Sequence, residues 1–362
     1  MLRLVPDCGG LIRNLAITLP PFLLAASQAG KRQALQNLAE SLTAGTELIL
    51  LVETDFEAAT REWVSTQRLR CSYRILAHVP AGAMCDADLW TQDTFLAAED
   101  DGQPQLLPLH QTDHPGQHAR WLAAAGYAEA AAPPLHLAGG NHLTGPDFRL
   151  VGAQSVLQSA SAGGWGEALA RHEGLDARHL HVFGFPLLQR GHPPALAQQP
   201  GHLDLVLTVT GITSPAGQPL LLLADPRIGC DPDGPPVPGW SDQLDASAAR
   251  LTADGFTVIR NKVPYLAHPL HAPNPTLRAY NNVILENDIR HELGNGRPLV
   301  WLPHFGDLEP DLEPFDRMAR RVWEDLGFAP IPVHGWSAML RAGGALRCAG
   351  KVLRRAPWPT RD

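Results

Sequence analysis

Three short stretches carry residue types that can act together: Trp90-Thr91-Gln92-Asp93, His202-Leu203-Asp204 and Gly343-Gly344-Ala345-Leu346-Arg347-Cys348. A cysteine thiolate is a strong nucleophile, a histidine moves the protons its attack requires, and two carboxylates would hold a planar cation and offset its charge. A guanidinium is such a cation. It is delocalised and protonated at neutral pH, so its central carbon accepts a nucleophile only when counter-charges fix it in plane. Cys348, His202, Asp93 and Asp204 therefore read as the nucleophile, the acid/base and the two clamps of a hydrolase acting on guanidinium carbon. Residues i and i+2 of a strand share a face, which would bring His202 and Asp204 into one pocket. Each residue also has a plainer reading: Cys348 as a small buried hydrophobe among glycines, His202 and Asp204 as a solvated strand pair, Asp93 as a turn cap.

Positioning such groups takes a sizeable core, and 362 residues with 44% hydrophobic and 18% charged content supply one. Ala34, Leu35, Leu38, Ala39 and Leu42 recur at helical spacing, Gly45 stops that helix, and 47–52 reads as a buried strand. Further strands are expected at 73–79, 148–157, 179–185, 203–210, 220–223, 256–260, 281–285 and 299–302. The clearest helix covers 313–326, with Phe315, Met318, Ala319, Val322, Trp323 and Leu326 on one face and Gly327 after it. The apolar run 15–29 is interrupted by Pro20-Pro21 and reads as a strand and a turn, not as a cleaved leader. Stretches 189–201, 225–239 and 267–275 are rich in Pro or Gly and read as surface loops, none long enough to link two domains. The pattern is mixed α/β with many short strands and no exact repeat, expected as one domain over 1–362.

Composition excludes several classes. The net charge is −8 and no Lys/Arg cluster exceeds Arg354-Arg355, so nucleic acid is not an expected partner. No stretch is long enough to span a bilayer. Five cysteines (Cys8, Cys71, Cys85, Cys230, Cys348) without a CxxC pair fit reduced thiols in a cytoplasmic setting. No metal or other cofactor is expected. His110, His114 and His118 recur every four residues but Pro115-Gly116 breaks the helix they would need, and His179 and His181 have no acidic or Cys partner at ligand spacing. Asp231-Pro232-Asp233-Gly234 begins like a calcium loop, yet Pro235 and Pro236 stand where a ligand and a glycine belong.

Five further segments complete an ordered pattern: Gly139-Gly140-Asn141, the glycine preceding His202, Tyr280-Asn281-Asn282, Pro303-His304-Phe305-Gly306-Asp307, and the helix that follows it. Together with the three stretches above, this order over residues 90–350 resembles the agmatine deiminases and bacterial peptidylarginine deiminases of the guanidine-modifying pentein superfamily. The resemblance implies a pentein-type α/β propeller of pseudo-fivefold ββαβ units with the site in a central channel. It implies hydrolysis of a guanidino group to a ureido group and ammonia through a covalent thiouronium on Cys348, without a cofactor. The implied partner is agmatine, another small cationic guanidino compound, or an arginine side chain of a peptide. Trp90 and Asn141 would touch substrate; Trp90 also reads as core packing, and Asn141 as a left-handed turn residue. The chain departs from agmatine deiminases at Leu137-Ala138, where an acidic residue is usual, and at Arg347, where a histidine is usual. Gln92 is similar to the peptidylarginine deiminases, and Arg347-Cys348 to the free-arginine deiminases. An amidinotransferase would use the same Cys, His and Asp residues, and a non-catalytic pentein binding protein is the remaining alternative. Neither oligomeric state nor choice of guanidine has a readable code.

Overall fold

The run Leu48-Ile49-Leu50-Leu51-Val52 is buried without alternation, the pattern of a strand covered on both faces and flanked by parallel neighbours. It lies in strand Glu47–Glu53, between Leu11–Thr18 and Ser72–His78, both parallel to it. The computed structural model describes residues 2–78, 89–109, 117–130, 138–159, 164–184, 202–267, 275–339 and 343–357. The expected loop at 189–201, Cys85, His110 and His114 lie outside these.

Five sheets of three or four strands make up the α/β fold, and each contains the same sequence of moves. An antiparallel pair is followed by a helix, and the helix returns the chain to a strand parallel to the second member. Phe95–Asp100 and Gln103–Pro108 pair antiparallel, helix Gln117–Ala124 crosses over, and Glu129–Ala130 adds in parallel. His142–Thr144 and Phe148–Gly152 are followed by helices Ala153–Gln158 and Gly164–Glu173 and by strand His179–Phe183. Leu207–Thr213 and Pro219–Ile228 lead through helix Trp240–Ala253 to Thr257–Ala267. Ile284–Leu285 and Leu299–Pro303 lead through helix Glu313–Asp325 to Ala329–Val333. In the remaining sheet the antiparallel partner of Leu11–Thr18 comes from the far end of the chain, Gly350–Ala356, while helix Ala29–Ser41 returns it to Glu47–Glu53.

The amphipathic helix and the strands expected at 47–52, 73–79, 179–185 and 299–302 fall close to where periodicity puts them, Pro219–Ile228 and Thr257–Ala267 run on past the expected 223 and 260, and strands such as Phe95–Asp100, Gln103–Pro108 and Gly350–Ala356 are not among those expected. Three further strands begin late or end early. The strand expected at 148–157 ends at Gly152, and the helix-forming residues after it make Ala153–Gln158. The one expected at 203–210 starts later: Leu203–Leu205 is a tight 3-10 turn and the strand is Leu207–Thr213. His202 and Asp204 are therefore not strand neighbours. Of 281–285 only Ile284–Leu285 is strand, because the Asn281 and Asn282 side chains bond to backbone and to a cysteine instead of yielding to a ladder. Asp231 to Gly234 is a plain turn, Gly234 N–H to Asp231 O at 2.9 Å. Among the described residues no helix is long and apolar enough to cross a membrane, and Cys8, Cys71, Cys230 and Cys348 are free thiols.

Buried arginines tie the sheets together. Arg290 is fully buried, pairs with the equally buried Glu286 through Nε at 2.7 Å, and donates to the carbonyls of Ala44 (2.6 Å) and Ile12 (3.1 Å). Arg355 donates to the carbonyls of Pro6, Asp7, Gly9 and Leu285 at 2.8–2.9 Å. A guanidinium has five N–H groups and suits loop backbone that has no ladder partner. Removing one member of a buried ion pair strands the other, at a cost of about 3–5 kcal/mol. Arg290→Met is therefore expected to lower the unfolding free energy in urea by that amount, whereas Arg61→Met, in the exposed Arg61/Glu57 pair, changes it by less than about 1 kcal/mol. Equal losses at the two sites would show that Arg290 is not a structural tie.

Candidate active site

In each of the five sheets the residues just ahead of the first strand of the antiparallel pair form a short polar turn. These are Thr91–Asp93, Gly139–Asn141, Leu203–Leu205, the Asn281-Asn282 bend, and the helical turn Leu346–Ala349. All of them converge. Four of the residues expected at the site, Asp93, Asn141, Asp204 and Cys348, sit on such turns and are buried, and His202 immediately precedes one with its side chain 27% exposed.

The geometry around the thiol is close. Cys348 Sγ lies 3.6 Å from Asp204 Oδ2 and accepts a hydrogen bond from Asn282 Nδ2 at 3.2 Å. The Cys348 N–H donates to Asn282 Oδ1 at 3.2 Å, so one amide holds both ends of the residue. Asn282 also donates to the Asp204 carbonyl at 3.2 Å. His202 Nδ1 is 3.5 Å from Asp93 Oδ2, and Asp93 Oδ1 accepts the Gly140 N–H at 2.7 Å. Nothing in the sequence singles out Asn282. The signal that would have found it is its position, equivalent to those of Asp93, Asn141, Asp204 and Cys348, and this becomes visible only when the five units are aligned by fold.

The two glycines of the Gly-Gly-Asn turn are required by proximity. A Cβ on Gly139 would lie 1.8 Å from the Gln92 carbonyl oxygen; one on Gly140 would lie 2.5 Å from His202 Nδ1 and 3.1 Å from Asp204 Oδ1. Asn141 is not in the left-handed conformation expected for it. Its side chain instead accepts the Leu203 N–H at 3.0 Å and so fixes the turn that carries Asp204. Trp90 packs its indole edge on Gly344, where a Cβ would lie 2.8 Å from the ring and 2.9 Å from Cys348 Cβ. It is thus both part of the packing and a neighbour of the thiol.

Arg347 takes the place of a histidine expected before the cysteine, and its role is electrostatic. It bridges Asp7 Oδ1 (Nε, 2.9 Å) and Asp204 Oδ2 (Nη1, 2.8 Å) and donates to the His142 carbonyl at 2.8 Å. Burial alone would lower its affinity for a proton, but Asp7 and Asp204 more than reverse this. Asp204 is wholly buried and burial raises its carboxyl, although Arg347 and His202 pull it down. Its other oxygen, Oδ1, accepts no hydrogen bond from the described residues. An unsatisfied buried carboxylate oxygen costs free energy that an incoming N–H donor would recover.

The same surroundings keep the thiol protonated at rest. Burial pushes Cys348 well above the usual thiol range, and the negative charges of Asp204 and Asp93 push it further. Three residues on, Lys351 is buried in the strand that pairs with Leu11–Thr18. It lines, with Asp7, Gln92 and Arg347, a cavity of about 20 Å³, room for one water. Burial first, and then the Arg347 charge, bring its ammonium down to about 7.

No protein-family model matches the chain, and no curated protein matches it by sequence. Solved structures do. The agmatine deiminase of C. jejuni superposes with a TM-score of 0.66 at 12% identity over 97% of this chain and 95% of that one. Its fold is that of the agmatine deiminases. A candidate peptidyl-arginine deiminase gives 0.66 at 13% identity over 97% and 98%. The agmatine deiminase of Enterococcus faecalis gives 0.63 at 13% over 97% and 95%. The likeness covers nearly the whole chain on both sides, so this deiminase fold includes all five sheets.

Two measurements follow from the charges. Thiolate is the species that alkylates, so iodoacetamide labelling of Cys348, read by mass spectrometry, should climb about tenfold per pH unit from 7 to 9 without levelling off. Asp204→Asn should speed it at fixed pH; a plateau below pH 8 in the parent would show a thiol that burial does not control. For Lys351 the unfolded chain, at about 10.5, holds a proton that the folded chain sheds near 7. Stability therefore rises with pH across that window. Lys351→Met should stabilise the protein relative to the parent at pH 6–7, with the difference shrinking toward pH 9, in denaturant midpoints at each pH; a pH-independent difference would contradict it.

Proposed function

We propose that the protein is a deiminase that hydrolyses a guanidino group to a ureido group and ammonia. The observation that carries this reading is the buried pairing of Cys348 with Asp204, whose second oxygen is left without a donor beside His202 and Asp93. The same assembly supports a finer view of the fold, in which the five sheets are blades of a pentein-type propeller and their five equivalent turns meet at its channel. The deiminase likeness in fold adds to it. A cysteine-to-serine variant of the C. jejuni agmatine deiminase, TM-score 0.67 at 11% identity, is known with substrate bound.

In this reading a guanidinium enters between Asp93 and Asp204, donating to Asp204 Oδ1 and to Asp93 Oδ2. Its positive charge offsets the two carboxylates that hold the thiol protonated, so the substrate itself favours the thiolate. The thiol proton passes to His202, and Sγ attacks the guanidinium carbon. His202 then protonates the departing nitrogen, the C–N bond breaks, and ammonia leaves behind an S-alkylthiouronium. A water gives a proton to His202 and attacks the same carbon; the C–S bond breaks, releasing the ureido product and the thiol. Asn282 and Arg347 touch the sulfur or its carboxylate and position them. Trp90 walls the pocket beside Gly344.

The test is a panel of agmatine, free arginine, a blocked arginine peptide and methylated arginines, assayed for ammonia and ureido product with and without an added amine. Turnover of at least one is expected, and Cys348→Ser should bind it while losing several orders of magnitude in rate, since an alcohol is far less nucleophilic than a thiolate. Asp93→Asn and Asp204→Asn each turn an acceptor toward the guanidinium into a donor and should abolish turnover. Activity in Cys348→Ser within about tenfold of the parent would sink the mechanism, and transfer to the amine in place of ammonia release would make the enzyme an amidinotransferase.

A further inference from the structure

A second group of ligating side chains stands away from the thiol, at the ends of two neighbouring strands. Leu299–Pro303 and Ala329–Val333 run parallel with Pro303 opposite Val333, and the His304 N–H donates to the Val333 carbonyl at 2.9 Å. The next residue of each strand is a histidine. Parallel register thus sets His304 and His334 side by side, with ring centroids 4.4 Å apart and planes at 74°. Thirty residues separate them in sequence, so no spacing rule would pair them.

Carboxylates stand on both sides of the two rings. Asp307 Oδ2 is 3.9 Å from His334 Nδ1, and Glu313 Oε2 is 4.0 Å from His304 Nε2. On the inner side Asp316 Oδ2 faces His304 Nδ1 at 3.2 Å. Asp316 is already engaged, accepting from Tyr280 Oη (2.7 Å), the Phe305 N–H (3.1 Å) and the Gly306 N–H (2.7 Å). It therefore acts as the partner that fixes an imidazole by one nitrogen and turns the other outward, the arrangement found behind metal-bound histidines. A cavity of about 250 Å³ lies over His304, His334 and Glu313. The ligand atoms of His304, Asp307 and His334 are all within 4.8 Å of one another.

We propose that His304, His334 and Asp307 form a binding site for one divalent transition-metal ion of the zinc class, with Glu313 as a further ligand. Two imidazoles and carboxylate oxygen suit Zn²⁺, Co²⁺ or Ni²⁺ and not the all-oxygen preference of Ca²⁺ or Mg²⁺. Metal–ligand bonds of about 2.0–2.2 Å put tetrahedral ligand atoms roughly 3.4 Å apart, so the His334–Asp307 pair at 3.9 Å must close by about half an ångström and no pair, all being within 4.8 Å, by more than about 1.4 Å. His334 and Glu313 are free to do so, with side chains 51% and 46% exposed. Two features limit affinity: Arg317 also reaches Glu313, at 3.5 Å, and the Gly335 N–H occupies Asp307 Oδ2 at 2.8 Å. The ion would pin both strand ends to the start of helix Glu313–Asp325. That is a structural role, independent of the guanidine chemistry proposed above.

The test is a titration of the untagged, chelator-treated full chain with Zn²⁺ by calorimetry and with Co²⁺ by visible absorption. One ion per chain is expected at micromolar affinity, with a rise in Tm and a cobalt spectrum of low-coordinate nitrogen and oxygen ligation. His334→Ala and Asp307→Asn should each weaken binding by at least tenfold, whereas His181→Ala, in the other histidine pair, should leave it unchanged. Because His334 is half exposed, its variant will fold, which a parent-like circular dichroism spectrum checks. Absence of binding at millimolar metal, or equal affinity in all three variants, overturns the proposal. Both readouts are binding, so they stand or fall apart from any guanidine turnover.

Discussion

The arrangement depends on one hydrogen-bonding device repeated between neighbouring units: the carboxylate or amide on one polar turn accepts a backbone N–H from the next. Asp93 holds Gly140, Asn141 holds Leu203, and Asn282 holds Cys348. Each such bond satisfies a buried donor that has no ladder or helix to join. It also transmits position, since displacing any one turn leaves a polar group unpaired in the next. The groups proposed to react are held by side chains that themselves lie at the candidate site, and the supporting hydrogen bonds are buried with them.

Several of the buried charges in this interior are balanced locally. Arg347 divides its guanidinium between Asp7 and Asp204, Arg290 lies on Glu286, and Arg278 pairs with Glu309. Paired charges of this kind add little net stability over apolar residues of similar size, but they strongly disfavour arrangements that separate them. At Asp204 this bears on the proposed function: one oxygen is committed to an internal guanidinium, while the other accepts no hydrogen bond from the described residues. The protein thus carries a copy of its proposed ligand's chemistry in its own wall.

Sequence patterns reveal some parts of this structure and hide others for physical reasons. Helix 313–326 and strand 47–52 are legible because a single apolar face, or none exposed at all, leaves a period of its own. Cys348, His202, Asp204 and Asp93 stand out as candidates because few residue types can perform nucleophilic attack, proton transfer and charge pairing, and the structure brings them together. The strand expected at 203–210 begins late because a turn that presents side chains to a neighbouring turn has no periodicity. Asn282 escapes for a similar reason: an amide that binds a thiol looks like any other asparagine. Arg347 is visible in the sequence as a departure, but its bond to Asp204 spans 143 residues, and only folding reveals it. The unit that recurs in the five sheets left no repeat in the letters, since what recurs is the order of strand, helix and turn and not the side chains.

The antiparallel partner of Leu11–Thr18 is the last described strand, Gly350–Ala356, and the thiol sits immediately before it. The other four converging turns belong to chain that is made well before that segment appears. During synthesis the carboxylates and His202 therefore emerge long before the sulfur. The thiol proposed as the nucleophile arrives only with the segment that pairs with Leu11–Thr18, so the proposed chemistry has to wait until that early strand has found its late partner.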